Sequence, residues 1–305
     1  MKQKKLAIFA AAVSVGVLAM GQAYAAPDWS KAQPRKVTLF YPGQASYEWV
    51  MNVNDHSSAT DMTKKRRTCA KCHDSDASEI GDKVVKGEAV GSSKSVIEPK
   101  PVAGKAGFVP ATVQIAHDGS KIYFRYEWTS PKAVSEPKMD SKNETKLTMM
   151  FDGGGTVEDA EINGCWGTCH NDLRSMKSPK DDKKTKYVKD GNVATGKYMD
   201  LMQWRKGEKS VDGYVDTERH MDGGQSLIKA DGKKTGSKWV VTFERELAGK
   251  GKGDHSIVAG KTYNFGFAVH ENFAGARFHY VSLGYQFGLD KDNKEVKNYI
   301  NVQKQ

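Results

Sequence analysis

The sequence predicts a mainly β protein, an antiparallel β-sandwich preceded by a small irregular module. From about residue 107 onward, the chain carries short runs rich in β-branched and aromatic residues. Asp-Gly, Gly-Gly and Gly-Lys turns separate these runs, and no regularly alternating helices lie between them, which favours a sandwich over an α/β fold. The predicted strands are Thr112–His117, Lys121–Trp128, Lys146–Phe151, Met199–Trp204, Lys238–Glu246, Lys261–His270 and Tyr280–Phe287.

The preceding segment, residues 26–101, is polar and irregular, and we expect it to form a separate small module ahead of a sandwich domain at 102–305. It contains one strand candidate, Val37–Tyr41, which a Pro-Gly turn follows. Glu79–Lys86 is expected to form a short helix or loop. A length of 305 residues allows one large domain with such an appended piece.

Residues 1–25 have the pattern of a secretory signal peptide. Three lysines precede the apolar run Leu6–Met20, and an A-x-A cleavage pattern follows at Ala23–Ala25. An uncleaved anchor is the alternative, but the run is shorter than the roughly 20 residues that a spanning helix needs. We therefore expect export to the periplasm without stable membrane insertion. Removing the three lysines from the 47 basic residues leaves 44, against 37 acidic ones, a formal charge of +7.

All four cysteines lie in two short motifs, and the first is CAKCH at Cys69, Cys72 and His73. C-x-x-C-H is the signature of covalent c-type haem attachment, in which both thiols bind the macrocycle and the following histidine ligates the iron. A zinc site would require a second cysteine pair at closer spacing. A thioredoxin-like redox pair would require a βαβ context, which the sequence lacks.

The second motif, CWGTCH, places Cys165, Cys169 and His170 with one additional residue between the cysteines. We expect it on a loop, with Gly167 adopting the unusual backbone angles that the longer spacing requires. A disulfide between the two cysteines is the alternative, but it would close a small, strained ring. The sequence therefore predicts two covalent haem c groups, a dihaem c-type cytochrome.

Four runs of the predicted sandwich resemble the ethylbenzene dehydrogenase-related haem-binding family. They are KIYFRYEW, MDLMQWRKG, WVVTFEREL and GKTYNFGFAVHEN, and the resemblance covers roughly residues 101–289. It implies a haem-carrying β-sandwich that exchanges electrons with iron-sulfur or molybdenum partners. In the family's dehydrogenase gamma subunits the haem is non-covalent and held by Met and Lys, so the two cysteine motifs place this chain in a c-type branch.

The iron ligands follow from the motifs and from position in the sequence. His73 and His170 are the predicted proximal ligands. His56, close before the first motif, is the predicted distal ligand of the first haem, with Met51 and Met62 as alternatives. For the second haem, His279 occupies the late region of the domain in which the resemblance places an axial ligand. His117 and Met150 are the alternatives, His270 is a candidate core residue, and His220 and His255 are expected to be exposed.

Several candidate sixth ligands and the lack of a recognisable catalytic motif favour an electron-transfer protein, with a molybdenum oxidoreductase or a respiratory-chain component as the expected partner. The alternatives are a haem enzyme, such as a small-molecule reductase or peroxidase with an open iron position, and a haem-based sensor. The positive charge and the lysine-rich segment 172–197 predict an acidic redox partner. Export disfavours nucleic acid as the explanation of that charge.

Overall fold

The computed structural model describes residues 26–89, 97–98, 100–169, 187–221 and 228–305. The predicted signal peptide, His170 and most of the lysine-rich segment lie outside these ranges. The described strands are β1 (Arg35–Phe40), β2 (Phe108–His117), β3 (Lys121–Thr129), β4 (Lys146–Asp152), β5 (Met199–Arg205), β6 (Val211–Val215), β7 (Arg219–His220), β8 (Lys229–Thr235), β9 (Lys238–Glu246), β10 (Tyr263–His270), β11 (Tyr280–Val281), β12 (Tyr285–Leu289) and β13 (Tyr299–Val302).

These strands form one sheet with the order β7-β6-β5-β4-β10-β11-β1-β2-β3-β9-β8, and β12 and β13 extend it beside β10. All pairs are antiparallel except β12 with β13. The sheet folds over on itself, because aromatic side chains from its two halves meet in the core. Tyr126 of β3 lies 4.7 Å from Phe267 of β10 between ring centres, and Trp204 of β5 lies 5.2 Å from Trp239 of β9.

The predicted fold class is confirmed, since the described chain is mainly β and its sheet packs as a sandwich. The run Lys238–Glu246 is a strand with the predicted bounds, and Asp118-Gly119 forms the predicted hairpin turn between β2 and β3. Tyr280–Phe287 is divided into two strands, β11 and β12, that pair with different parts of β10.

Five short helices complete the described fold: α1 (Tyr47–Val50), α2 (Ala59–Lys65), α3 (Cys69–His73), α4 (Ala77–Val85) and α5 (Ala160–Cys169). The Ser46 side chain caps α1 by accepting a hydrogen bond from the Trp49 N–H. Helix α4 contains all but the last residue of the segment 79–86, which was expected to form a short helix or loop, and it packs on β1 and β2. None of the helices within the described ranges has the length and apolar character needed to cross a membrane.

The residues before 102 are joined closely to the sandwich. Strand β1 lies inside the sheet, between β2 and β11, although the sequence places it in the N-terminal module. Buried Arg277 donates hydrogen bonds to Glu98 and to the Tyr41 hydroxyl, and Tyr41 also donates to Glu98 at 2.6 Å. A buried charge pair with these additional hydrogen bonds fixes the two segments against each other.

Candidate haem sites

Helix α3 contains the whole first motif. Its N-cap is Thr68, whose hydroxyl accepts a hydrogen bond from the Lys71 N–H. Residues three and four apart on a helix share a face, so Cys69, Cys72 and His73 point to one side. Cys69 is buried, which raises the pKa of its thiol to about 12, whereas Cys72 is exposed. The motif therefore presents two thiols and an imidazole to the same space.

That space is an apolar cavity with about 980 Å³ of empty volume, including the part that opens to solvent. Both cysteines and His73 line it. Most of the remaining wall comes from the N-terminal helices and β1, through Phe40, Trp49, Val50, Met62, Ile80 and Val84. Two further wall residues, Trp166 and Leu283, come from the rest of the chain. An apolar cavity with few, converging polar groups is typical of a cofactor site.

His56 faces His73 across the cavity, with 6.2 Å between the ring centres. Because metal–imidazole bonds are about 2.0–2.1 Å long, two imidazoles on opposite sides of one ion have ring centres about 6 Å apart once the ring radius is included. Burial, followed by the charge of His73, lowers the pKa of His56 and keeps its ring neutral, as a metal ligand must be. Its buried Nδ1 has no hydrogen-bond partner among the described residues.

His73 is oriented by Asp76, whose carboxylate lies 3.0 Å from His73 Nδ1. A hydrogen bond donated from Nδ1 leaves Nε2 as the ligating nitrogen, the usual second-shell arrangement. Met62 is buried and also lines the cavity, whereas Met51 is only partly buried against the core. The thiols, the paired imidazoles and the apolar wall fit a covalently held haem.

The described part of the second motif, Cys165–Cys169, lies on helix α5 and not on a loop, and the unusual backbone angles lie at Gly164 and not at Gly167. Gly164 has φ +61° and ψ −154°, which kinks the helix immediately before Cys165. A side chain at Gly164 would place its Cβ 2.5 Å from Gly284 Cα. Glycine is therefore required both by the positive φ and by this close approach. The kink directs Cys165 into the sheet surface. The sequence indicated the need for a glycine but not which one.

Cys165 is buried on the outer face of β4 and β10. Its sulfur lies 2.8 Å from the Met150 carbonyl oxygen and 2.9 Å from that of Gly266, so its one S–H can donate to either, and burial raises the pKa of the thiol well above the usual range. Cys169, one helical turn later, lies 3.9 Å from the Met150 sulfur, measured Sγ to Sδ. Cys165 and Cys169 do not form a disulfide with each other. The structure thus brings Met150 together with both cysteines of the second motif.

The same face of the sheet continues from Cys165 toward His270 and His279. Gly266, Ala268 and His270 lie on this face of β10, because every second residue of a strand is on the same side. The first two are small residues. His270 lies four residues from Gly266, about 13 Å along the strand. This face of β10 therefore carries Cys165 near one end and the two imidazoles near the other, with only small side chains of β10 between them.

His270 and His279 stack with ring centres 4.6 Å apart. His279 Nδ1 and His270 Nε2 both lie within hydrogen-bond distance of the Ala276 carbonyl, at 2.9 and 3.0 Å. Burial lowers the pKa of His279 to about 4 and that of His270 well below its ordinary value, so both rings are neutral. If Nδ1 donates its proton to that carbonyl, Nε2 is the ring nitrogen of His279 that could ligate a metal.

The other histidines lie elsewhere. His117, at the end of β2, pairs with Asp290 at 3.0 Å, and no described contact joins it to the second motif. His255 is buried, contrary to the expectation of an exposed residue, because its ring stacks on Tyr198 at 3.8 Å and lies 3.0 Å from the Tyr198 carbonyl. His220 is half-buried and stacks on Tyr214.

The two motifs meet at Trp166. This residue directly follows Cys165, and its side chain forms part of the wall of the first cavity. Arg66, which follows α2, pairs with Asp159 and Glu161 at the beginning of α5, and the Tyr47 hydroxyl donates to Asp159. Sequence analysis missed this junction, because nothing in the spacing of the two motifs indicates that they are neighbours.

A CAKCH helix above an apolar cavity, attached to a β-sandwich, defines a c-type cytochrome. The chain belongs to the ethylbenzene dehydrogenase family, whose model, described as "Ethylbenzene dehydrogenase", matches residues 26–235. The match confirms the family resemblance, and it covers the first two of the four strand motifs, while the motifs at 239–247 and 260–272 lie beyond it. It begins earlier than the strand motifs do and includes the segment that contains the first cysteine pair.

The chain is similar over nearly its whole length to two proteins named as cytochromes. It is 47% identical to cytochrome c-552 of Stutzerimonas stutzeri, over 94% of this chain and 96% of that protein. It is 33% identical to cytochrome c-551 of Rhodocyclus tenuis, over 89% of this chain and 98% of that protein. A family 9 carbohydrate-binding module of Caldicellulosiruptor kristjanssonii in complex with glucose aligns over 62% of this chain and 81% of its own at 10% identity, but its TM-score of 0.32 is too low to bear on fold or function.

Proposed function

We propose that this chain is a periplasmic dihaem cytochrome that transfers electrons between redox partners. In this proposal, CAKCH and CWGTCH each hold one covalent haem c. The observation that carries it is the junction at Trp166, where the helix of the second motif forms a wall of the first cavity. Two redox groups attached on either side of one short helix would be close enough to exchange electrons.

Haem iron, when bound, supplies reversible one-electron chemistry, and the residues of this chain determine where and how that occurs. The cysteines fix the orientation of each macrocycle. His73, oriented by Asp76, and His56 supply nitrogens on both sides of the first site. The apolar wall excludes water from the first site, and axial ligands and burial together set the potential.

The second site is proposed to use His170 as its proximal ligand and His279 as its distal ligand. His279 is neutral, buried and oriented through Nδ1. Met150 remains the alternative, since its sulfur lies beside Cys169. Filled sixth positions at both irons would favour electron transfer over substrate chemistry.

Spectroscopy of the oxidised protein tests this function directly. We expect intact mass and a pyridine haemochrome assay to give two haems per chain, and electron paramagnetic resonance to give only low-spin iron. Carbon monoxide and cyanide should bind slowly or not at all. A high-spin signal with ready ligand binding would instead support the haem enzyme or the sensor, because either requires an open iron position.

The proposed partner is an acidic redox protein, such as a molybdenum oxidoreductase or a respiratory component. Electrostatic steering weakens with salt, because the Debye length falls from about 10 Å at 0.1 M to about 3 Å at 1 M. We therefore expect bimolecular electron transfer to slow as the salt concentration rises. Changing Lys183, Lys184 and Lys186 to Glu should also slow it and leave the haem spectra unchanged.

A matched control changes to Glu three exposed lysines on β8, an edge strand of the sheet, and just after β9: Lys229, Lys233 and Lys250. The net charge change is the same, so a docking site at 183–186 predicts a larger effect of the first triple variant. Stopped-flow rates across a salt series measure both variants. Equal rates for the two would show that only net charge matters, and an unchanged rate would remove the lysine-rich segment from the docking surface.

A further inference from the structure

Three buried carboxylates meet on the inner face of the sheet, away from both cysteine motifs. Asp200 lies on β5, Asp212 on β6, and Asp254 in the connection from β9 to β10. One oxygen from each lies within 4.8 Å of the other two. Because side chains alternate along a strand, Asp200 points away from its neighbours Met199 and Leu201, which pack with Cys165 on the other face.

The negative charge of this cluster is only partly compensated. Buried Arg245 pairs with Asp200, and the His255 N–H donates to the same Asp200 oxygen at 2.9 Å. Lys252 lies over the Tyr214 ring at 5.5 Å and is exposed to solvent. Asp200 and Asp254 thus have one buried arginine beside them, so their two negative charges are only partly compensated, and such charge is costly away from water.

A second observation indicates a missing ligand. Asp254 is only 8% exposed, and neither of its buried carboxylate oxygens has a hydrogen-bond donor in good geometry among the described residues, although the Gly251 N–H lies nearby. The second oxygen of Asp200, Oδ1, is in the same condition. Buried carboxylate oxygens are nearly always satisfied by donors or by a cation. Three such oxygens directed into one cluster mark a position where a cation would bind.

The local electrostatics agree with this geometry. Burial, followed by the charges of Asp212 and Asp200, raises the pKa of Asp254 to about 6, while Arg245 and the nearby Gly251 N–H lower it by less. Burial likewise raises the pKa of Asp200 to about 6 despite its ion pair with Arg245. Without a cation, keeping these carboxylates ionised in the folded protein therefore lowers its free energy of unfolding.

We propose that Asp200, Asp212 and Asp254 form a binding site for one calcium ion. Calcium takes six to eight oxygen ligands at about 2.3–2.6 Å, so two of its ligands on opposite sides lie about 4.8 Å apart, as the cluster allows. Three carboxylates are hard oxygen donors, and none of the soft donors that select zinc or copper is among them. The site joins β5, β6 and the connection before β10, so the ion stabilises the sandwich and takes no part in electron transfer.

The test uses the haem-loaded protein, from which a chelator removes calcium but not covalent haem. Calorimetric titration of chelator-treated protein with calcium should show one site per chain. At about 100 times its Kd, calcium should raise Tm by about 5–10 °C relative to EDTA. The haem absorption spectrum should not change, which separates this result from the electron-transfer proposal.

Asp254→Asn and Asp212→Asn should each weaken calcium binding by about tenfold or more, because affinity depends on the number of ligand charges. Asp231→Asn, at an exposed position on β8, is the matched control and should bind as the unaltered protein does. An unchanged Tm together with no heat of calcium binding would overturn the proposal, and protons would then be the neutralising species. Wild-type affinity in Asp254→Asn, or equal stabilisation by magnesium, would also overturn it.

Discussion

Replacing Cys69 and Cys72 together with alanine should give a chain that retains one haem and loses the ordered packing of its N-terminal helices. The reason is the apolar cavity, because α1 to α4 converge on it and nothing would fill the space between them without the haem. The expected destabilisation of this region exceeds the roughly 3–5 kcal/mol lost when one large buried side chain is removed. Intact mass, thermal melting and limited proteolysis before residue 102 measure the loss.

Replacing Cys165 and Cys169 with alanine is the matched comparison. It should also leave one haem, but the N-terminal helices should stay protected, because the first cavity keeps its cysteines and most of its wall. The sandwich should melt at a lower temperature, since the cluster around Met150 and Leu201 packs against Cys165. A variant that keeps both haems, or that loses both, would contradict independent attachment by the two motifs.

The parts of this fold that sequence reasoning predicted are those that depend on local pattern. β9 alternates buried and exposed residues over its whole length, and its predicted bounds are those observed. β8, with the sequence KADGKKT, is a mostly exposed edge strand without a pattern of apolar residues, and it was not predicted. β6 was also missed, because all five of its residues are buried and a glycine interrupts the run.

The haem sites divide in the same way. The cysteine spacings are local, so both motifs were found from the sequence. The two motifs become neighbours only when the chain folds, so their proximity cannot be seen in the sequence. Neither the role of Trp166 nor the stacking of His270 on His279 has a sequence signal. The calcium-site carboxylates come from three separate elements, so only the fold brings them together.

Replacing His56 with alanine should convert the first haem from low-spin to high-spin and allow it to bind carbon monoxide. The imidazoles of His56 and His73 face each other at 6.2 Å between ring centres, so removing one leaves an open position on that side of the cavity. The second haem should keep its low-spin signal, because its proposed ligands, His170 and His279, are unchanged. Electron paramagnetic resonance and carbon monoxide difference spectra measure the change for one haem out of two.

His279→Ala should produce the reciprocal change at the second haem. His117→Ala is the discriminating control, since it removes a buried imidazole that pairs with Asp290 and not with either motif, and should leave both spectra unchanged. An unaltered first haem in His56→Ala would transfer the ligand role to Met62, the buried sulfur that lines the same cavity. An unaltered second haem in His279→Ala would favour Met150, and Met150→Ala should then produce the high-spin signal.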